Sequence, residues 1–319
     1  MTTVIFGVGY VGSRLIQELL FQGREIVALD SFFASDRRAV DGFRQSNSFR
    51  FVEGSIVDPS AVDRVLREAD EIESVYLLAA QASARPDAAS PDVTEEVNLR
   101  GPRIILDALA SRTCAAPIVF ASSTRVYGAP LPDVVDETSP YGVFTDLSHL
   151  SKCYAEKLLE MYARVHRLTC RVVRLGLVYG VAPVMKTDPR FMTAPNLFCY
   201  QAATGAPIEV KSLDPLALIQ VDDAMRALAL AAEATPNRRF QVFNAATAVR
   251  SISEVAELIR QIGESRDLAV TVRDLARRTG SAAAMPEVRS ALGPLGFVPR
   301  RELEESLAET LDHFLVRGQ

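Results

Sequence analysis

The sequence predicts an α/β fold, a Rossmann-like doubly wound parallel sheet with a smaller C-terminal α/β substrate-binding lobe. Three observations predict it. Short runs rich in Val, Ile and Phe alternate with helix-length amphipathic stretches over the first 175 or so residues. A glycine cluster, Gly7, Gly9 and Gly12, falls between the first run and the first stretch, and Asp30 closes the second run. Strands buried on both faces and separated by amphipathic helices are what a parallel sheet with right-handed crossovers requires.

The elements follow in order. "TTVIF" reads as the first strand, "YVGSRLIQELLFQG" as the first helix and "EIVALD" as the second strand. "FRFVEG" precedes the helix "DPSAVDRVLREA", and "SVYLLAA" precedes a helix within "DVTEEVNLRGPRIILDALASR". "APIVFASS" is the fifth strand; a helix from about Leu147 to His166 leads to the sixth, "TCRVVRLG". After Tyr179 the pattern turns irregular, with Pro183, Pro189, Pro195, Pro207 and Pro215, then "FQVFNA", "ISEVAELIRQIG", "LAVTV" and a final helix "LEESLAETLDHFLV". The expected division is a nucleotide-binding domain over 1–175 and a substrate lobe over 176–319, with residues from about 216 to 245 returning to the first domain.

The 319 residues are 48% hydrophobic, enough to fill a core and too apolar for a disordered chain. Net charge is -5 with no dense Lys/Arg run, so neither nucleic acid nor an anionic membrane finds an electrostatic footprint, and a small molecule is the expected partner. Cys114, Cys153, Cys170 and Cys199 are scattered without metal-ligand spacing, which predicts no metal site and a reducing, cytoplasmic location. No apolar run approaches the roughly 20 residues that span a bilayer.

"VIFGVGYVGSRL" carries the first chemical signal. Glycine at 7, 9 and 12 permits a tight turn, a close approach of backbone to pyrophosphate, and close packing of helix on strand, while the helix N-terminus offers free N–H groups to the anion. Asp30 lies 18 residues after Gly12, placed for a ribose diol, and its charge would repel a 2′-phosphate; NAD is expected over NADP. Arg37 and Arg38, further on, read as a solvated loop face.

Several stretches resemble, in order and over nearly the whole chain, the extended short-chain dehydrogenase/reductases, the NAD-dependent epimerase/dehydratase family that modifies nucleotide sugars. "LLAAQAS" is similar to its HLAAQ signature, "VNLRGPRIILDA" to VNxxGTxNLLEA, "FASSTRVYG" to SSSxVYG, "RLGLVYG" to RxxNVYGP and "LIQVDDAMRAL" to FIHVDDVAxA. The resemblance implies that Gly7, Gly9, Val11 and Gly12 contact the pyrophosphate, Asp30 the adenosine ribose and Ile56 the adenine side. It implies that Ala79, Ala80 and Gln81 line the nicotinamide side, that Lys152 binds the nicotinamide ribose, and that Ser123 hydrogen-bonds the reacting substrate oxygen. On the substrate side it implies Asn196 as a nucleotide-phosphate contact; Thr124, Arg125 and Arg289 are further substrate-side candidates, and Lys186 and Arg190, in the inserted "VMKTDPRFM", are candidate phosphate partners with a solvated loop as the alternative reading.

At its centre the resemblance fails. The family places a tyrosine four residues before the lysine, one helical turn away, where the ammonium lowers the phenol pKa for acid/base work. Here that residue is Ser148. Its hydroxyl ends about 4 Å short of a phenol oxygen and lacks a comparable proton equilibrium. Candidates to replace the phenol are Ser148 holding a water, His149, Tyr141 and Tyr127. Thr124 and Arg125 stand where sugar 4,6-dehydratases carry an acidic pair, which argues against that elimination. The expected activity is an NAD-dependent reaction on a nucleotide sugar or related polyol by transient hydride transfer; a non-redox lyase or isomerase, or a nucleotide sensor, stays open. The resemblance implies a homodimer through the Lys152 helix and the helix after the fourth strand; Leu150, Tyr154, Leu158, Met161 and Tyr162 recur there at helical spacing, a stripe that also suits the subunit's own core.

Overall fold

β-Branched and aromatic side chains dominate the first strands, and the chain buries them by stacking the strands in parallel under helices. The computed structural model describes residues 1–34, 37–212, 214–234, 238–276 and 285–317. β1 (Thr2–Phe6) is buried at every residue and passes through Gly7 into α1 (Tyr10–Phe21). β2 (Glu25–Asp30), the short α2 (Asp41–Arg44), β3 (Phe49–Glu53) and α3 (Pro59–Glu68) follow. The Asp58 side chain caps α3 by accepting from the Ser60 N–H, and Pro59 occupies its first turn, where no N–H is needed.

β4 (Ile72–Leu77) leads to α4 (Pro91–Glu95), a π turn over Glu96–Arg100, and α5 (Gly101–Ser111). The sequence reads this stretch as one helix; Pro102, which cannot donate to the carbonyl four residues back, accounts for the wider turn ahead of it. β5 (Pro117–Ser123), β6 (Val134–Val135), α6 (Leu147–Val165), β7 (Thr169–Leu175) and β8 (Leu177–Tyr179) come next. The remainder comprises α7 (Ala194–Thr204), β9 (Ile208–Val210), β10 (Pro215–Gln220), α8 (Val221–Glu233), β11 (Phe240–Ala245), β12 (Ala248–Ser251), α9 (Ile252–Glu264), β13 (Val272–Asp274), β14 (Glu287–Val288) and α10 (Leu303–Arg317).

The main sheet has seven parallel strands in the order β11-β7-β5-β4-β1-β2-β3, a Rossmann-like topology whose order reverses between β1 and β4. A three-stranded sheet, β12-β10-β8, belongs to the lobe. Within residues 216–245, β11 therefore joins the main sheet while β10 pairs with β8 and β12. Apolar clusters fill both faces of the main sheet, one under α1 and α8, the other under α3, α5 and α6, and a third closes the lobe between α7, α9 and α10. Among the described residues no helix is long and apolar enough to cross a membrane.

The apolar stripe of α6 divides. Leu158 and Tyr162 enter the core, whereas Leu150, Tyr154 and Met161 are 49%, 44% and 47% exposed. Leu158→Ala should therefore lower the unfolding free energy by about 2–5 kcal/mol, and Val143→Ala, on an exposed loop residue, by less than about 0.5 kcal/mol, in chemical denaturation.

Candidate active site

The turn after β1 has no room for side chains. Gly7 has φ +110°, and a Cβ there would lie 2.5 Å from the Ala79 nitrogen; a Cβ on Gly12 would lie 2.0 Å from the Gly7 carbonyl oxygen. Gly9 is the opposite case: a Cβ would meet nothing within 4 Å, and as N-cap of α1 it supplies no side-chain cap. The first N–H groups of α1 thus have no side-chain cap, and the space beside Gly9 is open, which fits a pyrophosphate at the positive helix end. Asp30 braces the turn, accepting from the Val8 N–H at 2.6 Å and the Phe32 N–H at 2.7 Å. Burial pushes its pKa up, while these backbone donors pull it back. Arg37 is ion-paired to Glu53, and the Arg38 side chain lies outside the described residues. Ile56 is buried beneath Gly101, Val11 is half-buried on α1, and Ala79 and Ala80 are half-buried where β4 ends.

Where β4 and β5 end, α6 is drawn down onto the sheet. Gln81, Asn98 and Ser151 form a buried lattice: the Asn98 amide accepts from the Gln81 N–H at 2.8 Å and donates to the Gln81 carbonyl at 2.8 Å and the Ser151 hydroxyl at 2.9 Å. Ser148 joins it, its hydroxyl donating to the Gln81 carbonyl at 3.3 Å and its own carbonyl accepting from Ser151 at 2.7 Å. Ser148 is 5% exposed, and its only proton is committed to backbone. One turn on, the Lys152 Nζ donates to the Ala121 carbonyl at 2.8 Å and lies 4.8 Å from the Phe120 ring centroid. Burial pushes its pKa down to about 8, against the pull of Glu156. The Ser123 hydroxyl accepts from the Arg125 N–H at 3.2 Å and opens a 3₁₀ turn over Thr124–Tyr127 in which Thr124 is buried.

Asp146 caps α6, accepting from the His149 N–H at 3.0 Å, and its other oxygen lies 2.6 Å from His149 Nδ1. Burial works against the Asp146 carboxylate, but the His149 ring and backbone N–H hold it below its ordinary range. Burial lowers the pKa of the half-buried Arg125 guanidinium, against the opposing charges of Asp146 and Asp214. Asp146 is a residue that sequence reasoning missed, although an acid just before a helix and three residues ahead of its histidine is a legible capping signal.

The other residues missed are Glu156 and Arg174. Glu156 is fully buried and accepts from Arg174 at 2.7 Å, Ser122 at 2.5 Å and the Tyr141 hydroxyl at 3.1 Å. Arg174 also donates to the Tyr127 hydroxyl at 2.7 Å, and Tyr127 donates to Asn244 at 2.7 Å. Tyr141 is therefore held in this cluster, where burial and then the Glu156 carboxylate push its phenol far above the ordinary value; burial raises Tyr127 too, with Arg174 opposing. The signal in the sequence was an arginine inside the apolar run "TCRVVRLG" and a glutamate one turn beyond Lys152.

Two residues assigned to substrate have other work. The Asn196 amide accepts from the Gly180 N–H at 3.0 Å and donates to the Tyr10 hydroxyl at 3.2 Å, so it is buried and pins Gly180 rather than reaching outward. Arg289 is exposed at the end of β14 and paired with Glu287, and its carbonyl accepts from Asn244.

Residues 3–246 match the NAD dependent epimerase/dehydratase family. The chain belongs to that family. It is 27% identical over 97% of its length to UDP-glucuronic acid decarboxylase 1 of Xenopus tropicalis, covering 70% of that protein. It is 27% identical over 96% of its length to dTDP-glucose 4,6-dehydratase of Streptomyces antibioticus, covering 90%. The NAD complex of UDP-glucose 4-epimerase from Thermus thermophilus superimposes with a TM-score of 0.82 at 25% identity, over 98% of this chain and 99% of that one. The family resemblance in the motifs and the shared fold thus agree, and the chain is an enzyme of this NAD-dependent family.

Two outcomes follow from the buried charges. Glu156→Ala leaves Arg174 unpaired in the interior and should cost about 3–5 kcal/mol of stability in denaturant titration. For Lys152 the folded pKa lies below that of the unfolded chain, so between about pH 8 and pH 10.4 the unfolded state binds more protons and stability rises with pH. Wild type minus Lys152→Met should show that rise; a flat difference would mean the amine is not desolvated.

Proposed function

We propose that this protein is an NAD-dependent enzyme acting on a nucleotide diphosphate sugar, with Lys152 handling the proton that a phenol handles in the family pattern. The observation that carries the reading is the conjunction of an open, uncapped α1 N-terminus, Asp30 behind it, and Lys152 beside the end of β5. Gly7, Gly9, Val11 and Gly12 hold the pyrophosphate, Asp30 the adenosine ribose, and Ala79, Ala80 and Gln81 line the nicotinamide side. Bound NAD supplies reversible hydride acceptance.

The chain's own residues do the rest. Ser123 orients the substrate hydroxyl, and the neutral Lys152 amine takes its proton, directly or through a water. An amine with a pKa of about 8 exchanges protons near neutrality. Tyr141 and Tyr127 have raised pKa values and committed hydroxyls, and His149 is pinned through Nδ1. Arg125, with no hydrogen-bond partner for its guanidinium among the described residues, supplies a donor fork to an oxygen-rich or anionic group of the sugar. The substrates named for the relatives, UDP-glucuronic acid, UDP-glucose and dTDP-glucose, define the class.

The test is calorimetric titration of the purified protein with NAD, then incubation with those nucleotide sugars, following reduced cofactor at 340 nm and products by mass spectrometry. Absence of NAD binding sinks the reading, and turnover that survives complete removal of NAD transfers it to a non-redox lyase or isomerase. Lys152→Met should lower kcat by about 10²–10⁴-fold and remove a limb near pH 8, with activity rising as the amine loses its proton; His149→Gln should change kcat by less than about tenfold. The reverse ranking would assign the proton to His149.

The exposed Leu150, Tyr154 and Met161 on α6 support a homodimer through this helix. Sedimentation should show a dimer, and Leu150→Glu with Tyr154→Glu a monomer; an unchanged mass would place the interface elsewhere.

A further inference from the structure

Residues 181–193 run as a strap from α1 across to the loops that follow β2 and β4. At one end the Tyr10 hydroxyl donates to the Gly180 carbonyl at 2.6 Å, and the Val184 N–H donates to the Ser13 hydroxyl of α1 at 3.1 Å. At the other, Phe191 meets Phe33 edge to face at 5.9 Å, Ser83 donates to the Arg190 carbonyl at 2.6 Å, and Arg190 donates to the Asp87 carbonyl at 2.8 Å. The strap is therefore tied to the three elements, α1 and the loops after β2 and β4, that surround the open glycine turn.

Of the two cations on the strap, one is already used. Arg190 is paired with Asp188 at 2.6 Å. Lys186 has no hydrogen bond or ion pair among the described residues, and it is half-buried. Burial pushes its pKa down to about 8, and no carboxylate pulls it back. An ammonium withdrawn from water without a partner is costly, and an anion delivered to it relieves that cost. On the elements to which the strap is tied, an unfilled demand for an anion is the N-terminus of α1 at Gly9, which has no side-chain cap.

We propose that Lys186 is a diphosphate-binding residue, carried by the 181–193 strap to the open side of the glycine turn, where it closes on a diphosphate from the side opposite α1. The proposal rests on the reading that this cleft takes a dinucleotide and a nucleotide sugar. Either can supply the diphosphate, and the two sources are separable.

The experiment uses the full chain as wild type, Lys186→Met and Lys186→Arg, titrated calorimetrically with NAD and, separately, with UDP. Lys186→Met should weaken one of the two ligands by about tenfold or more and reduce the salt dependence of its binding, with Lys186→Arg within about threefold of wild type. Loss in the NAD arm assigns the lysine to the cofactor diphosphate; loss in the UDP arm assigns it to the substrate. In the ligand-free protein Lys186→Met should melt at the same temperature as wild type or higher, because an unpaired desolvated charge has been removed; a lower melting temperature would make the lysine structural and overturn the proposal. Unchanged affinity for both ligands, in a variant that melts cooperatively, overturns it while leaving the cofactor reading standing. Wild type that binds neither overturns both.

Discussion

A single buried carboxylate governs the register of the site. Glu156 stands one turn beyond Lys152 and two beyond Ser148 on α6, and it is held from β7 by Arg174, from β5 by Ser122 and from the preceding loop by Tyr141. With 0% and 4% side-chain exposure, neither charge of the pair can be hydrated if the other moves, so α6 has one position against the sheet. That position brings the Lys152 ammonium to the Ala121 carbonyl and Ser148 to the Gln81 carbonyl. The same carboxylate acts on Lys152 electrostatically, resisting the fall in its pKa that burial causes. One group thus holds α6 in place and moderates the shift of Lys152.

The sheet supplies the second constraint. Seven parallel strands present all their C-terminal ends to one edge, and the reversal of order between β1 and β4 leaves a crevice there. Gly7 and Gly12 let α1 descend into contact with that crevice, since any Cβ would strike backbone within 3 Å. The Asn196–Gly180–Tyr10 cluster ties the lobe to α1 at the same edge. A ligand in the crevice would touch both parts of the molecule.

Ser148 looks different once its neighbours are known. As a bare letter it is a lost phenol. In the fold it is a polar stitch between α6 and the end of β4, sharing the Gln81 carbonyl with Asn98 and supporting Ser151. A proton donor bound to backbone cannot shuttle protons without breaking that stitch, which is why the proposed reaction gives the proton to Lys152, a neighbour whose pKa the interior has lowered.

Patterns that depend on neighbours in the chain were legible before any fold was known. The glycine turn, Asp30, the alternation of strand and helix, and Lys152 with its missing partner follow from local spacing and from the period of burial. What spacing does not carry is which polar groups meet across elements: Arg174 with Glu156, Asn98 with Gln81, and Asn196 with Gly180 are joined on different elements, at separations of 18, 17 and 16 residues. For the same reason Asn196 read as a ligand contact and Leu158 as an equal of Leu150, since periodicity gives a face but not what covers it. The doubly wound sheet and the dinucleotide cradle were already specified by the order of residues, because backbone sterics and hydrophobic period are local properties. Which charges are satisfied and which are not was settled by folding alone, because desolvation depends on atoms brought from far along the chain; that leaves Lys152 and Lys186 with lowered pKa values and Tyr141 with a raised one.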